Sequence, residues 1–296
     1  MGKTSVGVAL ARRIGAEVVA LDSMTLYRGM DIGTAKPTRV ERGGVPHHLI
    51  DVLDPWESAS VADYRNRALQ VIEEIEAQGH RALFVGGTAL YLKALLRGLF
   101  DGPGADLALR KALEEEADRL GEKAMHDRLR QLDPVTADRL HPNDRRRVIR
   151  ALEVIESTGR PISEQQVEHE QAAPESVPVF ALTRPRAELM SRIDARVVAM
   201  FAEGLVEEVR RLQSGDRPLS PVAAQGVGYR EVSEYLEGRI ELDQAIRLTQ
   251  ARTRQFAKRQ ATWFRGLVEV QPWPVEPDES AEAIADRLAD RIEAER

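Results

Sequence analysis

Residues 81–99 read RALFVGGTALYLKALLRGL, and their order decides the fold. Arg81 to Val85 is a short apolar run with strand character. Gly86-Gly87-Thr88 breaks it, and Ala89 to Leu99 continues with the spacing of an amphipathic helix. A strand that runs through a glycine turn straight into a helix is one half of a βαβ unit. Working back, Glu17 to Asp22 (EVVALD) reads as a buried strand ending in a carboxylate. Ser60, with Asp63 at the reciprocal capping position, starts a helix that Gly79 stops. Short apolar runs alternating with helical patterns over the first hundred residues predict an α/β fold around a parallel sheet.

The chain opens on Met1-Gly2-Lys3-Thr4-Ser5, followed by a helical run from Val6 to Ile14. Gly2-Lys3-Thr4 matches the second half of the phosphate-binding loop G-x-x-x-x-G-K-[ST]. Alone, a lysine at a helix start is the plainer account. Three strand-to-helix junctions change that weighting: Gly2-Lys3-Thr4, Asp22-Ser23 and Gly86-Gly87-Thr88. Such junctions gather along the carboxyl edge of an open α/β sheet, where ligands bind. One crevice would then hold a lysine, a hydroxyl, a carboxylate and a glycine turn. Lys3 and a helix N-terminus favour an anion. The Thr4 hydroxyl is the natural protein ligand for a Mg²⁺ ion bridging phosphate oxygens. A carboxylate where Asp22 stands touches either a metal or a substrate proton, with a helix cap as the alternative.

Beyond a break at Asp101-Gly102-Pro103-Gly104, residues 106–171 are helical in pattern, with stops at Gly121, Asp133-Pro134 and Gly159-Arg160-Pro161. Val179 to Leu182 reads as a return to the sheet, 194–212 as an amphipathic segment, and 240–264 as one long helix. Leu267 to Val270 is the expected last strand before a terminal amphipathic helix. We therefore expect a discontinuous core of residues 1–104 and 179–296, interrupted by an all-helical insertion, 105–178.

The chain has no cysteine, which removes disulfides, thiol nucleophiles and cysteine zinc sites together. No apolar stretch approaches the roughly 20 residues of a membrane helix. No export leader is visible, and we expect a cytoplasmic monomer. His47-His48 has no further ligand at metal-binding spacing in the sequence. A net charge of −6 argues against indiscriminate nucleic-acid binding. Basic clusters at Arg145-Arg146-Arg147 with Arg150, and at Arg252, Arg254, Lys258, Arg259 and Arg265, suit either specific RNA contact or solvated helix faces.

Six blocks carry a specific resemblance: DSMTLYRGMDIGTAKP (22–37), VPHHLIDVLDP (45–55), VGGTALYLKALLRGL (85–99), HPNDRRRVIRALEV (141–154), GVGYRE (226–231) and KRQATWFRG (258–266). In this order they resemble the bacterial tRNA dimethylallyltransferases, also called tRNA isopentenyltransferases. The resemblance implies a P-loop NTPase-like parallel sheet flanked by helices, with the helical insertion contacting tRNA. It implies transfer of a dimethylallyl group from dimethylallyl diphosphate to N6 of the adenosine 3′ of the anticodon. A small-molecule kinase would share the loop and sheet but has no use for the insertion or for KRQATWFR.

By the same resemblance, Asp22 is the group that hydrogen-bonds and deprotonates N6, with Thr88 and Arg110 beside the reacting groups. Gly2, Lys3, Thr4 and Ser5 hold the diphosphate, with Mg²⁺ on Thr4. The anticodon stem-loop falls to Asp22, Ser23, Met24 and Thr25, to Thr88 and Arg110, and to Arg146, Arg147, Val148, Ile149 and Arg150. It falls also to Gln225, Gly226, Val227, Gly228, Tyr229 and Arg230, and to Lys258, Arg259, Gln260, Trp263 and Arg265. Tyr229 and Trp263 read equally as stacking or as core residues. Arg145-Arg146 stands where the family commonly has Pro-Gln, and Thr25 where glutamine is frequent. The family's loop begins before Gly2, so we expect either a start codon assigned downstream of the true one or a truncated form that binds tRNA but is catalytically impaired.

Overall fold

Gly15, in left-handed conformation (φ 64°), ends the first helix and turns the chain directly into the first strand. The computed structural model describes residues 2–98, 104, 106–166 and 177–294. The chain divides into two compact units, Met1–Leu95 with Pro174–Arg296, and Leu96–Ala173. In the first lie α1 (Lys3–Ile14), β1 (Ala16–Leu21), α2 (Arg39–Arg42), β2 (His47–His48), α3 (Val61–Ala77), β3 (Arg81–Gly86) and most of α4 (Ala89–Arg97). The second holds α5 (Leu107–Leu120), α6 (Glu122–Leu132), α7 (Pro134–Arg139), α8 (Arg145–Thr158) and α9 (Ile162–Gln166). The chain then continues through β4 (Val179–Thr183), α10 (Arg186–Ala202), α11 (Leu205–Gln213), α12 (Pro221–Ala224), α13 (Tyr229–Leu236), α14 (Leu242–Arg265), β5 (Val270–Pro274) and α15 (Ala281–Ala294).

β1 is buried along its whole length and stands between β2 and β3 in a parallel sheet, with Ala16 opposite Arg81 and Leu21 opposite Gly86. That register brings the ends of β1 and β3 level, so Asp22 and Gly87 leave the sheet side by side. α1 is apolar on two flanks. Val6 and Leu10 pack with Ile284 and Leu288 of α15, while Val8 and Ala11 pack with Val18 of β1. Each such valine, leucine or isoleucine contributes roughly 1.5–3 kcal/mol when fully buried. Gly7 lets the helix lie directly on β3: a Cβ there would stand 2.7 Å from Val85 Cγ2. Lys3 is thereby carried to the end of the sheet where Gly87 emerges.

Two strand expectations need correction. Val179–Thr183 does form a strand, but it pairs in parallel with Val270–Pro274 in a separate two-stranded sheet, not with β1–β3. The last strand also begins later than the apolar run 267–270 suggested. Leu267 is apolar because it is buried in the turn after α14, whereas the strand is VQPWP. Two prolines hide it in the sequence, and only a strand paired on one side tolerates them. The amphipathic segment 194–212 divides at Gly204, whose φ of 103° no continuing helix can use. The expected helix over 240–264 is α14, one helix of 24 residues.

The helical unit has its own core, in which Leu113, Met125, Leu129, Val148 and Leu152 are all nearly inaccessible. Asp106 caps α5 and Asp133, followed by Pro134, caps α7. The expected helical stretch 167–171 lies outside the described residues.

Candidate active site

The turn Gly86-Gly87-Thr88 is clamped onto β1: the N–H groups of Gly87 and Thr88 both donate to the Leu21 carbonyl, at 2.9 and 3.1 Å. Thr88 Oγ1 in turn accepts from the N–H of Ser23 at 3.2 Å. Asp22 turns the chain after β1 by accepting from the N–H of Met24 through Oδ1, at 2.9 Å. Among the described residues its Oδ2 has no protein partner, so one oxygen builds the turn and the other is left available.

Lys3 meets this turn from α1. A Cβ on Gly87 would stand 3.2 Å from Lys3 Nζ and 2.4 Å from Gln260 Nε2, so glycine is what allows the approach. Gln260, on α14, donates to the Gly87 carbonyl at 2.7 Å. Lys3 has protein closely around it yet keeps an exposed side chain. Desolvation lowers its pKa; the nearby Asp22 charge opposes this and the Arg196 guanidinium reinforces it. Arg196, on α10, is itself pulled down by desolvation and supported by Asp22. Lysine, arginine and one carboxylate thus lie within electrostatic reach of one another with net positive charge, a setting that favours an anion.

The rings of Tyr64 and Tyr91 stack 3.9 Å apart near Asp22. Burial pushes both hydroxyls far above their ordinary range, and the Asp22 charge adds to it. Tyr64 donates to the Ala20 carbonyl at 2.9 Å, which fixes the pair against β1. The Thr4 hydroxyl, in the first turn of α1, has no hydrogen-bond partner among the described residues, while Ser5 Oγ bonds back to the Gly2 carbonyl. No three His, Asp or Glu side chains among the described residues form a metal cage. The donor set instead suits a hydrated hard cation shared with phosphate oxygens.

The segments expected to meet RNA separate by exposure. Met24 packs against Gly226, within 2.7 Å of where a Cβ would stand, so these two segments touch. Gln225, Arg230, Lys258, Arg259 and Arg265 are exposed, and Trp263 is 41% exposed. Tyr229 is 1% exposed and donates from its hydroxyl to Glu208 at 2.6 Å, which places it in the core. Thr25 is buried too. In the helical unit, Arg146 and Arg147 are exposed on α8, whereas Val148 and Ile149 face its core. Arg110 donates twice to the wholly buried Glu153, at 2.8 and 3.2 Å, and Arg150 pairs with the same carboxylate at 3.1 Å.

Arg196 escaped the sequence reading. It sits on an amphipathic helix between Ile193 and Val197, where a surface arginine is ordinary and nothing local marks it. His47-His48 also had a hidden context. Glu17, buried in β1, accepts from His48 on one neighbouring strand and from His80 just before the other, each at 2.6 Å. Those bonds, His48 first, hold its carboxyl below the usual carboxylate range.

The IPP transferase family model matches residues 25–267. The chain belongs to the IPP transferase family. It is 49% identical over 270 residues to a tRNA dimethylallyltransferase of Geobacter metallireducens, covering 91% of this chain and 87% of that one. A tRNA dimethylallyltransferase of Geobacter sulfurreducens is 50% identical over 265 residues, 89% and 85% of the two chains. Among solved structures, the tRNA isopentenylpyrophosphate transferase of Bacillus halodurans superposes with a TM-score of 0.71 at 40% identity, over 99% of this chain and 94% of that one. A eukaryotic dimethylallyltransferase acting on tRNA gives a TM-score of 0.79 at 27% identity, covering 99% of this chain and 76% of its own. The family places this fold with P-loop-like sheets and makes the chain a prenyl-transferring enzyme. No helix among the described residues is long and apolar enough to cross a membrane.

Proposed function

We propose that this enzyme moves a dimethylallyl group from dimethylallyl diphosphate to N6 of the adenosine 3′ of the anticodon in tRNA. One observation carries the reading: Lys3, Asp22 and the Gly87-Thr88 turn, remote in sequence, meet at one end of the sheet. An adenine amino group is a poor nucleophile because its lone pair is shared with the ring. It needs a positioned acceptor for its proton and a counter-charge for the leaving group. The free oxygen of Asp22 accepts the N6 proton as the N6–C1 bond forms. The C1–O bond breaks as diphosphate departs toward Lys3 and Arg196. Thr88 holds the Asp22 turn, and its hydroxyl lies where the acceptor arrives. Arg110, Arg146, Arg147 and Arg150 are assigned to the same reaction as RNA and phosphate contacts of the helical unit. Val148, Ile149, Tyr229 and Thr25, whose side chains are buried, support these segments from within.

Thr4 would hold a Mg²⁺ ion, which supplies charge neutralisation at the diphosphate. The target base must leave its stack to reach Asp22, and Trp263 offers an exposed ring beside the cations of α14. We take the working unit to be a monomer in the cytoplasm.

The test is incubation of the chain with labelled dimethylallyl diphosphate, Mg²⁺ and an anticodon stem-loop, with AMP as a second acceptor. Label on the stem-loop adenosine alone is expected. Label on AMP alone, or none on RNA that binds, overturns the proposal.

A further inference from the structure

Three described non-glycine residues have left-handed backbone, Ala35 (φ 51°), Leu49 (φ 57°) and Asp51 (φ 57°). Two of them flank one buried ammonium: Ala35 precedes Lys36 in the chain, and Asp51 pairs with it. Lys36, 8% exposed, spends its three N–H donors on Asp31 Oδ1 at 2.6 Å, Asp51 Oδ1 at 2.6 Å and the Tyr27 carbonyl at 2.7 Å. Left-handed backbone at such residues persists only where the surroundings over-determine it. Nothing in the transfer reaction as described uses Lys36.

Asp31 belongs to a second buried centre. Glu208, 2% exposed, accepts from the N–H groups of Asp31, Ile32 and Gly33 at 3.0, 2.8 and 3.2 Å, and from the Tyr229 hydroxyl. One carboxylate on α11 therefore ties residues 31–33 to the segment 225–230, and one lysine ties residue 31 to residue 51. Both paths end at the active site. The Asp51 N–H donates to the Thr25 carbonyl at 3.2 Å, and the Thr25 hydroxyl bonds the Asp22 carbonyl at 3.3 Å. On the other side, Met24 presses on Gly226, against which the Tyr229 ring also packs.

We propose that Lys36 and Glu208 are positioning residues for the transfer: two buried charges that set the Asp22–Thr25 turn against the Gln225–Arg230 segment. Removing the ammonium leaves Asp31 and Asp51 converging without a counter-charge, so the two loops part. A displacement of about 1 Å at a reacting group can cost about 100-fold in rate. Lys3 and Thr4 are untouched, so diphosphate binding is spared. This inference rests on the transfer reaction proposed above.

The test uses the full chain carrying Lys36→Met, with Glu208→Gln as a second variant should the first fail to fold. Steady-state transfer to a stem-loop is measured together with amide hydrogen exchange at Met24, Asp51 and Val52. The expected result is a kcat per folded molecule lowered by about 10- to 100-fold. The KM for dimethylallyl diphosphate should stay within about 2-fold of wild type, and the three amides should lose protection. A merely structural lysine would lower the melting temperature and leave kcat per folded molecule unchanged; wild-type kcat with wild-type exchange overturns the proposal. If the wild-type chain transfers nothing, the reaction reading falls, and the exchange arm alone decides the positioning role.

Discussion

Gln260 donates from Nε2 to the carbonyl of Gly87 at 2.7 Å, joining the long helix α14 to the glycine turn across 173 residues of sequence. Lys3 approaches the same glycine, so α1, α14 and β3 meet over one peptide. Nearer its middle, α14 is secured by Arg252 on Glu231 and Arg254 on Asp194. The Gln260 bond is what ties its last turns to the active site.

Gln260→Leu removes that bond and leaves the Gly87 carbonyl unpaired. A stability loss of about 1 kcal/mol is expected, read from urea denaturation. The transfer rate should fall by more than that loss accounts for, because the turn carrying Thr88 shifts. Wild-type transfer in the variant would mean the bond is ornamental to the reaction.

Asp22→Asn keeps the Met24 cap through the amide oxygen and discards the proton acceptor. Stem-loop affinity should stay near wild type while single-turnover transfer drops roughly 10²- to 10⁴-fold, the usual worth of a general base. An unchanged single-turnover rate would remove Asp22 from the chemistry.

Lys3 titrates lower than an ordinary lysine, because burial and then the Arg196 charge outweigh the help from Asp22. Diphosphate binding, which needs the charged ammonium, should therefore weaken as pH rises through this depressed value. Arg196→Ala removes a repulsion, so the weakening moves to higher pH even as affinity falls overall. Asp22→Asn removes an attraction, so it moves to lower pH. Calorimetric titration with inorganic diphosphate across alkaline pH separates the two, and shifts in the same direction for both variants would refute the assignment.

Glu17 has its folded-state pKa depressed by His48 and His80. A depressed carboxylate contributes stability that is present above its unfolded pKa and is lost as pH falls through the folded one. Replacing both histidines by glutamine weakens the depression, so acid unfolding should begin at a higher pH. Circular dichroism followed from pH 6 downward reads it; an unmoved acid midpoint would show that the pair does not stabilise the sheet.

Much of the first unit was legible because its signals are local. Ser60 and Asp63 cap a helix within four residues, and EVVALD and RALFV are apolar runs bounded by turn residues. The strand in VQPWP was not legible, since prolines erase the strand pattern and only its pairing with β4 reveals it. The pairing of Glu17 with two histidines was equally hidden. Parallel register, not sequence spacing, makes these residues neighbours.

The amino-acid sequence by itself determined the family, much of the order of strand and helix, and the residue types gathered at the candidate site: the lysine, the aspartate and the glycine-threonine turn. Those are short-range patterns, readable wherever cap, period and motif lie within a few residues. Only the tertiary structure decided which basic and aromatic residues are exposed and which are buried or paired. It moved Tyr229 onto Glu208, Val148 and Ile149 into a helical core, and Arg110 onto Glu153. It also brought Arg196 within electrostatic reach of Asp22 and Gln260 onto the Gly87 carbonyl. Exposure and through-space charge depend on what packs against a side chain, and packing partners here lie as far apart in the sequence as Val6 and Ile284.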